Sequence, residues 1–514
     1  MRPRPHGIVA LALSLLSFSL YAETADTILL HGKIYTGDPA HFAQAIAISG
    51  KRVMAVGTDA EISALAVHST DKFDLHGAVV VPGFNDAHAE VKIAPDQQRI
   101  ATTEAATFDE VRAALEWITS ESALDMWIGG VIGPEVLRDP RMTSAWLDKI
   151  AQHRRVMLET NSGHAGVWSE SALASIRAGS MSDPLGGWFG HDAQGKPDGK
   201  AYEYAHFVLK QRLADLADDD RVENAIHDTA AAALAHGVTT LQAISMLPYA
   251  RFHRSLRRVD VKGRVRELEI VVPGAPSTAS HPTAYVIDGT PVDRTAAVSG
   301  IYPGTKDENG KVNFTSAQIV ELLSATKQAV QQPLFDVAGD RAIRVVLDAV
   351  DAAAVPPATR VRLDRADGMS GDLLARAVKA GAVVVATPSR FEMRPLYPQQ
   401  QPVFALKTTL ANKVPLAFGS EGGPSNPFVG IMNAVNNGAE SITVAQAVDA
   451  FTAGGAYAEM AEKEKGTLAP GKLADLAVLS QDIFQISSSS LPQTGAVMTM
   501  VDGKIVSGTL MPAK

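Results

Sequence analysis

Between residues 108 and 379 the chain alternates segments of helical periodicity with short β-rich runs, and this alternation restricts the fold more than any other feature. Apolar residues recur at helical spacing over 108–119, 220–235, 319–331, 342–353 and 371–379. Runs such as Arg155-Val156-Met157-Leu158 and Ala382-Val383-Val384-Val385-Ala386-Thr387 stand between them. A continuous apolar run suits a strand covered on both faces, and such strands joined through helices build parallel sheets. We therefore expect an α/β protein with a (β/α)8, TIM-like barrel. A chain of 514 residues with 46% hydrophobic content is long enough for that barrel and a smaller companion domain.

The two ends have a different texture. Short strand patterns without helices occupy Thr27-Ile28-Leu29-Leu30, Ala45-Ile46-Ala47-Ile48, Arg52-Val53-Met54-Ala55-Val56 and Ala78-Val79-Val80-Val81. Similar patterns return in Leu476-Ala477-Val478-Leu479 and in one run over 496–506. Their pairing predicts a small β-sandwich composed of residues 23–81 and 467–514, with the barrel and its insertions over 82–466.

Residues 1–22 read as a secretory signal peptide: Arg2 and Arg4 precede an apolar run from Ile8 to Leu20, and Ala22 offers a small residue for cleavage. The run is short for a bilayer span, so a bacterial protein that is periplasmic or secreted is expected, with no membrane attachment after cleavage. The absence of cysteine removes disulfides, thiolate metal sites and a lipoprotein anchor. A net charge of −9 argues against a nucleic-acid surface. The expected partner is a small-molecule substrate or ligand, and a homo-oligomer stays open.

Chemistry concentrates first in Val80-Val81-Pro82-Gly83-Phe84-Asn85-Asp86-Ala87-His88-Ala89-Glu90. An apolar strand that ends with His88 and Glu90 two residues apart presents both on one face, at the end of a barrel strand where catalytic groups gather. Further landmarks follow in order: Gly163-His164-Ala165-Gly166, Gly237-Val238-Thr239-Thr240, Asp288-Gly289, Gly339-Asp340-Arg341-Ala342 and Gly471-Lys472-Leu473-Ala474-Asp475-Leu476. In these motifs the chain resembles the amidohydrolase superfamily, in the branch that includes N-substituted formamide deformylases.

The resemblance implies a metal-bearing barrel that hydrolyses carbon–nitrogen bonds other than peptide bonds. It also implies where the ligands stand. His88 keeps the first position, and Glu90 replaces the second His. Ala284 takes the place of a Lys that bridges metals when carboxylated. Asp336 replaces a His, Arg365 of Asp364-Arg365-Ala366 replaces another, and Glu421 of Gly419-Ser420-Glu421 stands for the catalytic Asp. A methyl group cannot coordinate, and a guanidinium donates only and repels cations.

Two readings of the site follow. In one, no cofactor is held and Arg365 supplies the positive charge, paired with Glu90, Asp336 or Glu421. In the other, a single divalent cation such as Mg2+ or Ca2+ sits on Glu90, Asp336 and Glu421, with His88 as a remaining candidate ligand. A dinuclear zinc centre is not expected in either. Glu421 is the candidate general acid/base, His88 the polariser or ligand, and Arg365 the oxyanion or carboxylate clamp, with His164 and Asp336 as substrate contacts. The rival function is a catalytically inactive member of the family that binds a small charged ligand. Trp168 and Trp188-Phe189 read as packing rather than pocket, and Asp340 with Arg341 as a helix cap and anchor.

Overall fold

The computed structural model describes residues 24–37, 41–179, 182–270, 282–328, 331–423 and 425–509; the signal peptide expected over 1–22 lies outside them. Eight strands form the central sheet and are numbered here β1 to β8 in chain order. They are Phe84–Val91, Val238–Ser245, Arg264–Ile270, Thr283–Val286, Leu334–Val337, Arg362–Arg365, Val383–Ala386 and Leu416–Phe418. Each pairs in parallel with the next. The ends of this sheet meet where Ser420 and Glu421 donate their backbone N–H groups to the His88 carbonyl, at 3.2 and 2.8 Å. The Asp86 carboxylate accepts a further bond from Ser420 N–H at 2.9 Å. A Cβ at Gly419 would lie 2.5 Å from that of His88, so a residue without one lets the last strand reach the first. The result is a nearly closed TIM-like barrel.

Helices Ser316–Gln328, Asp340–Ala352 and Asp372–Ala380 connect β4 to β7. In the second, Ala342, Ile343, Val346, Leu347 and Val350 are buried, the stripe that an amphipathic helix lays against a sheet. Its N-cap is Gly339 rather than Asp340, whose carboxylate instead accepts from the Ser299 N–H and from Gln401.

Inside the barrel the packing is polar where branched apolar residues usually fill it. Arg362 is fully buried and donates to both oxygens of Asp364, at 2.5 and 2.8 Å, and also to Gln242 and the Ala87 carbonyl. Gln242 in turn donates to Asn85 at 3.0 Å, and Asn85 to Glu459, which Lys465 pairs at 2.7 Å. Charges persist at such depth because each has a bonded partner.

Between β1 and β2 the chain leaves the barrel and forms a lobe on a six-stranded mixed sheet that includes Gln97–Arg99, Trp127–Val131, Arg155–Glu159, Ala165–Trp168 and Pro197–Glu203. Arg155-Val156-Met157-Leu158, read above as part of the barrel rhythm, belongs to this lobe. Helix Phe108–Glu121 does too, packing Val111, Leu115 and Ile118 with Ile128 and Val156. Trp168 is buried in the lobe core with Met157 and Leu209. Trp188 stacks on Tyr202, with ring centroids 5.2 Å apart.

The terminal segments form two more sheets. One holds Ala25–Leu30, Ala45–Ser49, Arg52–Gly57 and Ala66–Asp74. The other joins Lys33–Tyr35, Phe42–Ala43 and Val79–Pro82 to Leu476–Leu479, Ala496–Val501 and Lys504–Gly508. One buried cluster takes Leu29, Ile46 and Val53 from the first sheet and Ile34, Val80, Leu476 and Met498 from the second. The run over 496–506 is a hairpin, not one strand. Asp502 and Gly503, at φ 51° and 71°, adopt the left-handed backbone of a two-residue turn. Among the described residues no helix is long and apolar enough to cross a membrane.

Candidate active site

A cavity of about 380 Å³ opens over the C-terminal ends of the barrel strands. His88 and Glu90 on β1, Asp336 on β5, Asp364 on β6 and Glu421 after β8 line its barrel side. Glu159, His164 and Lys210 line the lobe side. Ala284 on β4 adds only its methyl group to the wall.

His88 is buried, and its Nδ1 lies 2.8 Å from Asp364 Oδ2, so Nε2 is the ring nitrogen left for a substrate. Burial opposes a charged ring here, but the hydrogen bond and charge of Asp364, with Asp336 and Glu421 beyond, push the His88 pKa up to about 9. Arg362 fixes Asp364 from below through its two-pronged bond. Arg362 and Asp364 sit two apart on β6 and so face the barrel interior together.

Arg365 ends the same strand with φ 63°, a left-handed conformation that breaks the strand alternation and turns its side chain aside. Its Nε donates to Asp336 and lies 3.7 Å from Glu421 Oε1. The other two nitrogens donate to the carbonyls of Gly289, at 3.0 Å, and Asp288, at 3.4 Å. Arg365 is only 2% exposed and is not among the residues that line the cavity; it lies behind the carboxylates that do. Burial opposes its charge, yet Asp336, Glu421, Asp288 and Asp367 hold the guanidinium well above its ordinary pKa. Glu421 also has a left-handed backbone, φ 47°. Paired residues that share an unfavourable conformation mark a spot where the surrounding fold enforces geometry.

Two further carboxylates surround this ion pair. Asp288 accepts three backbone N–H bonds, from Ala297, Ala338 and Gly339, each at 2.8 Å, while burial pushes its pKa up to about 7 against them. Asp367 accepts from the Tyr397 hydroxyl at 2.7 Å, and burial together with the like charge of Glu421 pushes it up to about 7. Burial thus works against the charge on both carboxyls, and the nearby Arg365 guanidinium works in its favour.

The candidate residues thus fall into groups. Arg365, Asp336 and Glu421 come together as one ion cluster, with His88 and Asp364 beside it. Glu90 lies in the same cavity but makes no ion pair with Arg365; a Cβ at Gly422 would stand 2.4 Å from its Oε2. His164 is on the lobe wall, where its Nδ1 meets Glu203 Oε2 at 2.9 Å and its ring meets the Phe207 edge at 5.0 Å. Burial opposes its protonation, and Glu203 more than compensates, raising its pKa. Asp364, Arg362 and Glu203 were not singled out from the sequence. A strand that carries Arg and Asp two residues apart between buried neighbours was a readable signal for the first two; nothing local pointed to Glu203.

Among the described residues no group of three or more His, Asp or Glu is arranged to hold a metal ion. Asp336 and Glu421 face a guanidinium, His88 Nδ1 faces Asp364, and β4 offers a methyl group. The residues present do not fit the metal centre that the resemblance implies.

Parallel strands closed into a barrel, with ionisable groups gathered in a cavity at their C-terminal ends, define a TIM-like barrel with its functional face in the usual place. Residues 71–507 match the amidohydrolase family, and the chain belongs to it. It is 27% identical to the N-substituted formamide deformylase of Arthrobacter pascens, over 94% of this chain and 98% of that protein. Two solved structures, uncharacterized metal-dependent hydrolases from Pyrococcus horikoshii and Pyrococcus furiosus, share the fold. The first has a TM-score of 0.67 at 18% identity, covering 90% of this chain and 99% of its own. The second has 0.65 at 20%, covering 89% and 100%.

Proposed function

We propose that this protein hydrolyses carbon–nitrogen bonds other than peptide bonds, in amide or N-formyl substrates, at a site that has exchanged its metal for a buried cation. The observation that carries this reading is the Arg365 guanidinium set against Asp336 and Glu421 under a cavity that His88 also lines. Membership of the amidohydrolase family and the similarity to a formamide deformylase support the bond class.

In the proposed reaction Glu421 takes a proton from water as the water oxygen bonds to the acyl carbon. Negative charge developing on the carbonyl oxygen faces His88 Nε2–H, whose imidazolium is held by Asp364. The carbon–nitrogen bond then breaks as Glu421 passes its proton to the leaving nitrogen, giving a carboxylic acid and an amine. Arg365 fixes the Glu421 carboxylate and balances its charge without touching substrate.

The reading extends to location and domains. Export through residues 1–22 places the mature protein in a bacterial periplasm or outside the cell, and the two terminal sheets make one β-sandwich domain beside the barrel. A periplasmic fraction whose protein has lost about the first 22 residues by mass supports export; a full-length cytoplasmic product contradicts it.

The test of function is formate release from a panel of N-formyl amines by the purified protein, with and without a strong chelator. Turnover that survives chelation and disappears in Glu421→Gln supports the proposal. Failure to release formate from any member, or release that depends on added metal, overturns it.

A further inference from the structure

Glu159 and Lys210 face the cavity from the lobe, and the reaction above uses neither. Glu159 ends strand Arg155–Glu159, while His206 and Lys210 lie one turn apart on helix Tyr204–Ala214 and reach it from the same side. Trp168 Nε1 donates to His206 Nδ1 at 3.2 Å, so His206 Nε2 keeps the proton and points it at Glu159 Oε2, 3.4 Å away. Lys210 Nζ donates to the same oxygen at 2.9 Å and to the Gly163 carbonyl at 3.4 Å. Gly166 pairs with Glu159 across the sheet, and a Cβ there would stand 2.5 Å from His206 Cε1, so the ring fits because this residue has none. Burial opposes the Glu159 charge, but Lys210 and His206 hold the carboxyl well below its usual range.

The pair is satisfied on one side only. Both bonds to Glu159 fall on Oε2, and Oε1 accepts none from the described residues. The Glu159 and Lys210 side chains are 19% and 21% exposed, and unlike the unbonded oxygens of Glu203 and Asp293 this one is open to solvent. Lys210 likewise keeps one N–H beyond the two that are bonded. The cavity thus meets an acceptor and a donor side by side, on a pair without net charge. A ligand carboxylate there would face Glu159 and an ammonium would face Lys210, so a neutral group that donates and accepts from neighbouring atoms fits best. We propose that the pair is a subsite for a primary carboxamide on the amine half of the substrate. The carboxamide nitrogen donates to Glu159 Oε1 and its oxygen accepts from Lys210 Nζ, both charge-assisted bonds. A formyl group has no further atoms to offer, which leaves the amine half to carry this group. Phe207, Leu213 and Ile270 line the same cavity and give the connecting carbon chain an apolar wall. The proposal rests on the C–N hydrolase reading for the reaction, and names the substrate class of the same cavity.

N-formyl ω-aminoalkanamides of increasing chain length test it, beside the matching methyl ketones, which keep the acceptor and lose the donor, and the matching carboxylates. Calorimetric binding and formate release are measured for each with the full chain. At the chain length that reaches the pair, the carboxamide is expected to bind about tenfold more tightly than the ketone, the scale of one hydrogen bond to a charged group. The carboxylate should bind more weakly than the carboxamide. Glu159→Leu/Lys210→Met removes both charges together, an exchange that folded proteins often tolerate, and should erase the preference. Glu159→Gln conserves volume and keeps an oxygen for Lys210 but loses the charge, so the preference should fall severalfold even if the double variant does not fold. Equal affinity of carboxamide and ketone at every length, tighter binding of the carboxylate, or a preference untouched in Glu159→Gln overturns the proposal. Binding does not require turnover, so the two readings fail separately. Carboxamide preference without formate release defeats the hydrolase reading alone, whereas formate release without that preference defeats this one alone.

Discussion

Arg365 is held in a left-handed backbone conformation, fully enclosed, with each guanidinium nitrogen engaged. Removal of one side of such a buried pair leaves uncompensated charge. Arg365→Met should therefore lose about 3–5 kcal/mol of stability by urea unfolding. Lysine keeps the charge but lacks the fork, so Arg365→Lys should recover only part of the loss. Stability in both variants equal to that of the parent would mean that the cluster is not a structural unit. His88 gives a pH signature. Its folded pKa of about 9 lies above the ordinary 6.5, so the stability it contributes is complete below pH 6.5 and is lost as pH rises through about 9. Melting temperature followed from pH 6 to 10 should decline along that course and flatten in His88→Gln; identical slopes would deny the imidazolium. The positions of Arg365, Asp336, Glu421 and His88 were legible in the sequence, because the ordered motifs that carry them name those positions. Their partners were less so: Glu203 meets His164 from 39 positions further along the chain, and Asp364 was read as flanking Arg365 rather than as the group that holds His88.

At the scale of elements, barrel closure depends on β8 lying against β1 with no Cβ at Gly419. Gly419→Ala would force the His88 backbone away and move both His88 and Glu421. We expect a destabilised protein, by about 1–3 kcal/mol as for other overpacked sites, with formate release lost beyond the stability effect. An alanine variant with parental melting temperature would show that this seam has room to relax. The helices over 342–353 and 371–379 were legible because a stripe at spacing 3.6 has one physical solution against a sheet. Strand membership was not. Arg155-Val156-Met157-Leu158 has the composition of a barrel strand, yet pairs with Trp127–Val131 and Ala165–Trp168 in the lobe. Run length and β-branching report burial, and burial is alike in both sheets. The hairpin at Asp502-Gly503 was signalled by an Asp-Gly pair inside an apolar run and was missed by reading the run as continuous.

For the whole molecule, the barrel and the lobe supply opposite walls of one cavity. The barrel wall carries the acid cluster, His88 and Arg390, and the lobe wall carries His164 and the Glu159–Lys210 pair. Fold class followed from the alternation of helices and strands, since few architectures bury both faces of a parallel sheet. The cavity chemistry did not follow from fold, because barrels of one architecture host many reactions. The central claim is that Arg365 has taken the role of metal in this barrel. Metal content by inductively coupled plasma mass spectrometry tests it most directly. The protein would be measured as isolated and after incubation with Zn2+, Mn2+, Mg2+ and Ca2+, beside the variant Glu90→His/Asp336→His/Arg365→His. The account predicts no stoichiometric ion in the parent and a gain of zinc in the variant. A stoichiometric ion in the parent, lost together with formate release on chelation, would contradict it.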